Sequence, residues 1–146
     1  MSYRTDEVRA VRLDRLQEYP SATFAAVCAK LSLGTITPQS MAAAAPAWKF
    51  DEHGNKSSDH LDRVKFFFDK PSDDDEDAIL LSNGSPYGRP DLDEPHFYDG
   101  RHRFVAAVLR GDKTIRAMFR WPCAATVFLF RRVIVYLTGD SDIKPS

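Results

Sequence analysis

An α+β fold in a single domain is what this chain predicts, on three observations. Its 146 residues, 43% of them hydrophobic, are the length of one domain and enough for one core. Short alternating, β-branched segments are interleaved with segments whose apolar residues recur at three- and four-residue spacing. From Ala78 to Phe119 the order is strand, variable loop, Tyr-Asp-Gly-Arg-His-Arg, helix, Leu-Arg-Gly-Asp-Lys-Thr-Ile, strand.

Taken in order, Val11 and Leu13 alternate with Arg12 as a half-exposed strand does, which predicts a first strand over Arg9 to Leu13 and a turn before Pro20. Ser21 to Leu33 predicts a helix capped by Ser21, with Phe24, Val27, Cys28 and Leu31 on one face and Gly34 at its end. Thr37 to Ala45 predicts a short capped helix closed by Pro46. The polar stretch Asp51 to Ser58 reads as a loop. Asp51, Glu52 and His53 could ligate a metal, but three adjacent residues rarely converge on one ion.

Ser58 is positioned to cap a helix running to Asp69, with Leu61, Val64, Lys65 and Phe68 on one face and Pro71 as its stop. The run Asp73 to Asp77 reads as a solvated, self-repelling loop. A strand is predicted at Ala78 to Leu81, then a Gly/Pro-rich loop to Pro95 of the kind that reads substrate or closes over a site, then a short strand at His96 to Tyr98. A helix over Arg101 to Arg110, a turn at Gly111 and Asp112, and a strand over Thr114 to Phe119 follow. Trp121 to Leu137 fits either two strands or a buried helix, and both readings stay open. The domain is expected to span 1–138, with 139–146 a flexible tail.

The chemistry concentrates at Gly100, Arg101, His102 and Arg103. A glycine where a strand gives way to a helix lets an anion approach the backbone, and the guanidinium and imidazole groups beside it offer donors to phosphate oxygens. The alternative is a helix N-terminus with Asp99 near the cap and solvated basic residues. Asp93, Glu94 and Asp99 frame the turn with carboxylates, of which Asp99 and Glu94 are candidates to hold Mg2+ against nucleotide phosphates or to orient water. For Asp93 and Glu94, keeping an exposed loop soluble is the simpler role.

Charge is unevenly distributed: residues 1–50 carry +2, residues 51–99 carry −9, and residues 100–146 carry +6, from nine basic against three acidic side chains. This polarity suits a protein that meets a polyanion with one end. Two cysteines, Cys28 and Cys123, each among small apolar residues, read as buried thiols rather than a disulfide framework or a zinc site. The charged start lacks the apolar core of a secretory signal, and the most apolar stretch, Ala124 to Leu137, is broken by Arg131 and Arg132. A cytoplasmic protein with no membrane anchor is expected.

The block from Ala78 to Phe119, extended back to the helix at Asp59 to Asp69, resembles the ParB/sulfiredoxin superfamily, whose hallmark is a short Gly-x-x-Arg-type turn entering a helix. In sulfiredoxin the turn reads Gly-Gly-Cys-His-Arg, so Gly100, His102 and Arg103 match and the catalytic cysteine falls at Arg101. Sulfinic-acid repair, which needs that thiol, is therefore not expected. The resemblance implies a small mixed sheet packed with helices, phosphate binding by Gly100, Arg101, His102 and Arg103, and a contribution from the neighbourhood of His60 and Arg63. It further implies a nucleotide-binding protein of plasmid, phage or mobile-element type that hydrolyses ATP, CTP or another triphosphate, with Mg2+ and Asp99 as the catalytic candidate. Metal-dependent cleavage of DNA, bound without sequence preference, belongs to the same expectation. The alternatives are a non-catalytic protein that blocks a partner, as plasmid fertility-inhibition proteins interfere with conjugative DNA transfer, and a small-molecule kinase of the same fold.

Overall fold

The structure is a computed structural model that describes residues 8–44, 60–71, 78–82, 94–120 and 127–139. The acidic run 73–77, the residues 51–53, the loop up to Asp93, Cys123 and the tail beyond Gly139 lie outside the described residues. Within them the chain is a mixed α+β domain in the order β1 (Val8–Arg12), α1 (Leu13–Leu16), a 3-10 turn (Pro20–Ala22), α2 (Phe24–Lys30), α3 (Pro38–Ala43), α4 (His60–Asp69), β2 (Ile79–Ser82), β3 (His96–Asp99), α5 (Arg101–Arg110), β4 (Thr114–Arg120) and α6 (Val127–Thr138).

The four strands form one mixed sheet in the order β1-β4-β2-β3. Strand β4 runs antiparallel to β1, with Val11 opposite Ile115, and parallel to β2, with Ile79 opposite Ala117. β3 returns antiparallel along the outer side of β2. Its register slips there: Leu80 faces Asp99 and Leu81 faces Phe97, which leaves Tyr98 as an extra residue on β3. A bulge ends pairing and re-aims the chain. Tyr98 is accordingly 46% exposed, one residue before the turn into α5.

Helix α5 is the hub of the packing. Phe104, Val105, Ala106, Ala107 and Leu109 are all buried, and α2, α3, α4 and β2 touch the helix around its circumference. Its half-buried positions are Arg101, His102 and Arg103 in the first turn and Val108 and Arg110 in the last, so the polar ends of this segment are held in place by an apolar middle. On another side of the sheet's β1 edge, α6 packs on β1 and α1 through Val133, Ile134 and Leu137.

Several local expectations change. The first strand ends at Arg12, and Leu13, expected inside it, opens α1 instead. Thr23, not Ser21, caps α2, accepting a hydrogen bond from the Ala26 N–H at 3.1 Å. Ser21 is instead tied to the start of β3, its N–H to Glu94 Oε1 at 2.6 Å and its hydroxyl to the Pro95 carbonyl at 2.8 Å. Past α2 two residues are left-handed, Ser32 at φ 54° and the expected Gly34 at φ 68°. The capped helix α3 forms as the Thr37 and Ser40 pattern predicts, with a reciprocal capping box. The tail that fitted two structures is a helix over Val127–Thr138. Leu61, expected on the apolar face of α4, is 37% exposed.

Candidate functional site

The turn between β3 and α5 is built around Gly100, which is the N-cap of α5 with φ 98° and ψ 19°. That left-handed backbone strains any residue with a Cβ. The surroundings add a second reason for glycine: a Cβ there would lie 2.6 Å from Ile79 Cγ2 and 2.8 Å from Ile79 Cβ. The first residue of β2 thus sets how deep the turn sits. The Asp99 carboxylate accepts from the Gly100 N–H at 2.8 Å, and the Gly100 carbonyl accepts from the Phe104 N–H at 3.0 Å, the first full turn of the helix.

Gly100, as N-cap, offers α5 no side-chain cap, and among the described residues the carboxylate beside the turn, that of Asp99, is bound to the Gly100 N–H just ahead of the helix. The opening turn carries the positive dipole end and the first backbone N–H groups of α5. His102 meets His60, the first residue of α4: Nε2 of one and Nδ1 of the other lie 2.9 Å apart, with the rings stacked at 5.1 Å between centroids. One nitrogen must donate and the other accept, so this contact holds a single shared proton. Farther along, Phe67 of α4 lies beside Arg103 and Arg110 of α5, so the two helices run side by side in the same direction with their N-termini together.

The two arginines diverge from this centre. Arg101 donates to the Phe97 carbonyl at 3.1 Å with its guanidinium 6.0 Å from the Phe97 ring, which turns it back over β3. Arg103 of α5 reaches α4, its guanidinium 4.8 Å from the centre of the Phe67 ring, in cation–π range. Arg63 is half-buried on α4, one turn from His60. Of the residues singled out in the sequence, the structure brings His60, Gly100 and His102 together, with Arg101 and Arg103 to either side.

Glu94 and Asp99 do not come together. They stand at opposite ends of β3, on the order of 15 Å apart by the rise of an extended chain, and Glu94 is hydrogen-bonded to the Ser21 N–H. Among the described residues no group of three or more His, Cys, Asp or Glu gathers to hold a metal. Asp99 itself is exposed beside the turn, with one oxygen on the Gly100 N–H.

Away from the turn, Cys28 is 6% exposed and burial pushes its thiol pKa up, the condition of an unreactive core cysteine. No described helix is long and apolar enough to cross a membrane. The stack of Arg103 on Phe67 had no sequence signal, because it joins two helices far apart in the chain, whereas Arg101 turns back on Phe97 of the strand just before it. The only local signal was the aromatic run Phe66-Phe67-Phe68, too long for one buried face of a helix.

Comparisons with protein-family models, with curated proteins and with solved structures returned no match for this chain.

Proposed function

We propose that this domain binds a nucleoside triphosphate with its phosphates against the first turn of α5, and that it hydrolyses it, as a protein of the ParB/sulfiredoxin type. The observation that carries this reading is the Gly100 turn: a left-handed glycine packed on Ile79, opening a ten-residue helix to which its N-cap gives no side-chain cap, next to the His60–His102 pair. Helix dipole and N–H groups recognise the phosphates. Arg101 and Arg103 flank the turn and supply the charge that phosphoryl transfer needs neutralised. The paired imidazoles are the part of the site able to exchange a proton. Mg2+, if carried by the nucleotide, would find the exposed Asp99 carboxylate as its protein ligand and would screen the phosphates' charge.

Titration calorimetry with ATP, CTP and GTP, each with and without Mg2+, tests the proposal. One of the three should bind, and His102→Ala should weaken it about tenfold or more, the scale of one lost hydrogen bond to a charged group. Failure of all three triphosphates would overturn this reading in favour of a non-catalytic protein that blocks a partner. Metal-dependent cleavage of DNA is a second reading, supported by the exposure of Asp99 at the turn. It requires cleavage to stop with EDTA and to fall with Asp99→Asn, which keeps the shape and removes the charge.

A further inference from the structure

A second cationic region lies at the far end of α4 and α5. It is a cleft of about 420 Å³ between the last turn of α4, the C-terminal half of α5 and the start of β4. Lys70, Arg110, Lys113 and Arg116 line it, with Phe66 and Phe67 in the same wall, while Arg103, assigned above to the turn, borders it from the first turn of α5. Asp112 is the one carboxylate among its described lining residues, and Arg110 holds it, with Nη2 and Nε at 2.7 and 3.2 Å from the same oxygen. The remaining Arg110 donor, Nη1, is bound to the Phe67 carbonyl at 2.6 Å, so this arginine ties α5 to α4 and fixes the cleft floor.

The placement decides what kind of anion suits it. Here α5 ends, and the N–H groups that follow it, those of Gly111 and Asp112, are bound to the Val108 and Ala107 carbonyls at 3.0 Å, so a compact phosphate finds no cradle of N–H groups in this turn. The charge comes instead from long side chains spread over several elements. Dispersed cations interleaved with aromatic rings suit an extended polyanion whose bases have π-faces, which describes a single nucleic-acid strand. The cleft has the volume of a site for one small organic group, which an unpaired base can enter and the outside of a stiff duplex cannot.

We infer that the cleft between the C-terminal ends of α4 and α5 and the start of β4 is a binding site for single-stranded nucleic acid, separate from the turn at Gly100. The inference does not rest on nucleotide binding at that turn. Backbone phosphates lie along Lys113 and Arg116, and a base lies toward Phe66, whose ring carries the Lys70 ammonium 5.7 Å from its centre.

The full chain should bind a fluorescent oligothymidylate strand in low salt, more tightly than a duplex of the same length, with affinity falling as salt is added. Lys113→Glu and Lys70→Glu, both at exposed positions, should each weaken binding about fivefold or more, whereas Lys30→Glu, an equal charge change at the end of α2, should change it by less than about twofold. Circular dichroism on each variant separates lost binding from lost folding. Equal losses for Lys30→Glu and Lys113→Glu would reduce the effect to net charge and overturn the site. So would absence of binding in low salt, or a duplex bound as tightly as the strand. Triphosphate affinity should be unchanged in Lys113→Glu, so failure here and failure at the Gly100 turn are told apart.

Discussion

Gly100 is the residue on which the turn depends, for two additive reasons. Gly100→Ala places a Cβ in a left-handed backbone, at about 1–2 kcal/mol, and forces it into Ile79, at about 1–3 kcal/mol for an overpacked contact. Urea unfolding of Gly100→Ala should therefore show a loss of roughly 2–5 kcal/mol by these two terms together. Adding Ile79→Ala removes the nearer Cγ2 atom and leaves the Cβ, so the double variant should lose less than the sum of the singles. Strict additivity would mean that Ile79 does not set the depth of the turn. Gly111, also left-handed at φ 80°, has open space around it and lacks the second of these reasons.

At the scale of elements, α4 is joined to α3 by a charge inside the protein. Lys65 is 5% exposed; its ammonium donates to the Met41 carbonyl at 2.9 Å and pairs with Asp69 at 2.9 Å. The partner Asp69 is partly open to solvent, which weakens the ionic share of this contact. Lys65→Ala should destabilise by about 2–3 kcal/mol, through the lost charged hydrogen bond and the lost stem. Lys65→Met keeps the stem, and the Met41 carbonyl still accepts from the Ala44 N–H at 3.3 Å, so about 1 kcal/mol is expected. Equal costs in thermal melts of the two variants would show that packing of the stem contributes nothing.

The same scale shows what the sequence could reveal. Lys65 fell on the apolar face of α4 by spacing alone, and α5 with its Gly111 stop, β4 and the α3 capping box follow from local chemistry. The α6 tail did not, because a run of Val, Phe, Ile and Leu satisfies both periods, and the exposed stripe that marks a helix there rests on Arg132 and the aromatic Tyr136. Nor did the cap of α2: Ser21 and Thr23 are equally good caps, and Ser21 was drawn away by Glu94, 73 positions along the chain. The candidate site divides the same way. Gly100 and His102 were legible in the motif, and His60 only through resemblance, while the sideways turn of Arg101 and Arg103 depends on rings in other elements.

For the whole molecule, the buried side chains form one connected cluster from Val11 of β1 to Leu137 of α6. Unfolding in urea followed by far-UV circular dichroism should accordingly be a single transition, coincident with that seen by hydrogen exchange of the β4 amides. Two separated transitions would divide the chain into units that the core does not suggest. The charge distribution sits on this single body: the α5 turn and the cleft at the other end of α5 both belong to the basic last third, and only the Lys70 side of the cleft comes from the acidic middle.

Among the described residues, strand β1 has its only sheet partner in β4, Val8 opposite Met118 and Arg12 opposite Thr114. A ribosome emits the strand first and its partner last. At about 5–20 residues per second, the nascent chain carries β1 for roughly 5–20 s before the matching strand exists. During that interval a stretch with Val8 and Val11 could pair with the same stretch on a neighbouring nascent chain of a polysome. Arg9 and Arg12, two of its five residues, make such pairing repulsive, since like charges opposite one another destabilise a ladder. The arginines of the first strand thus guard the chain at a stage when the sheet has no centre, and their replacement by threonine would be felt as inclusion bodies during expression before it was felt as a lower melting temperature.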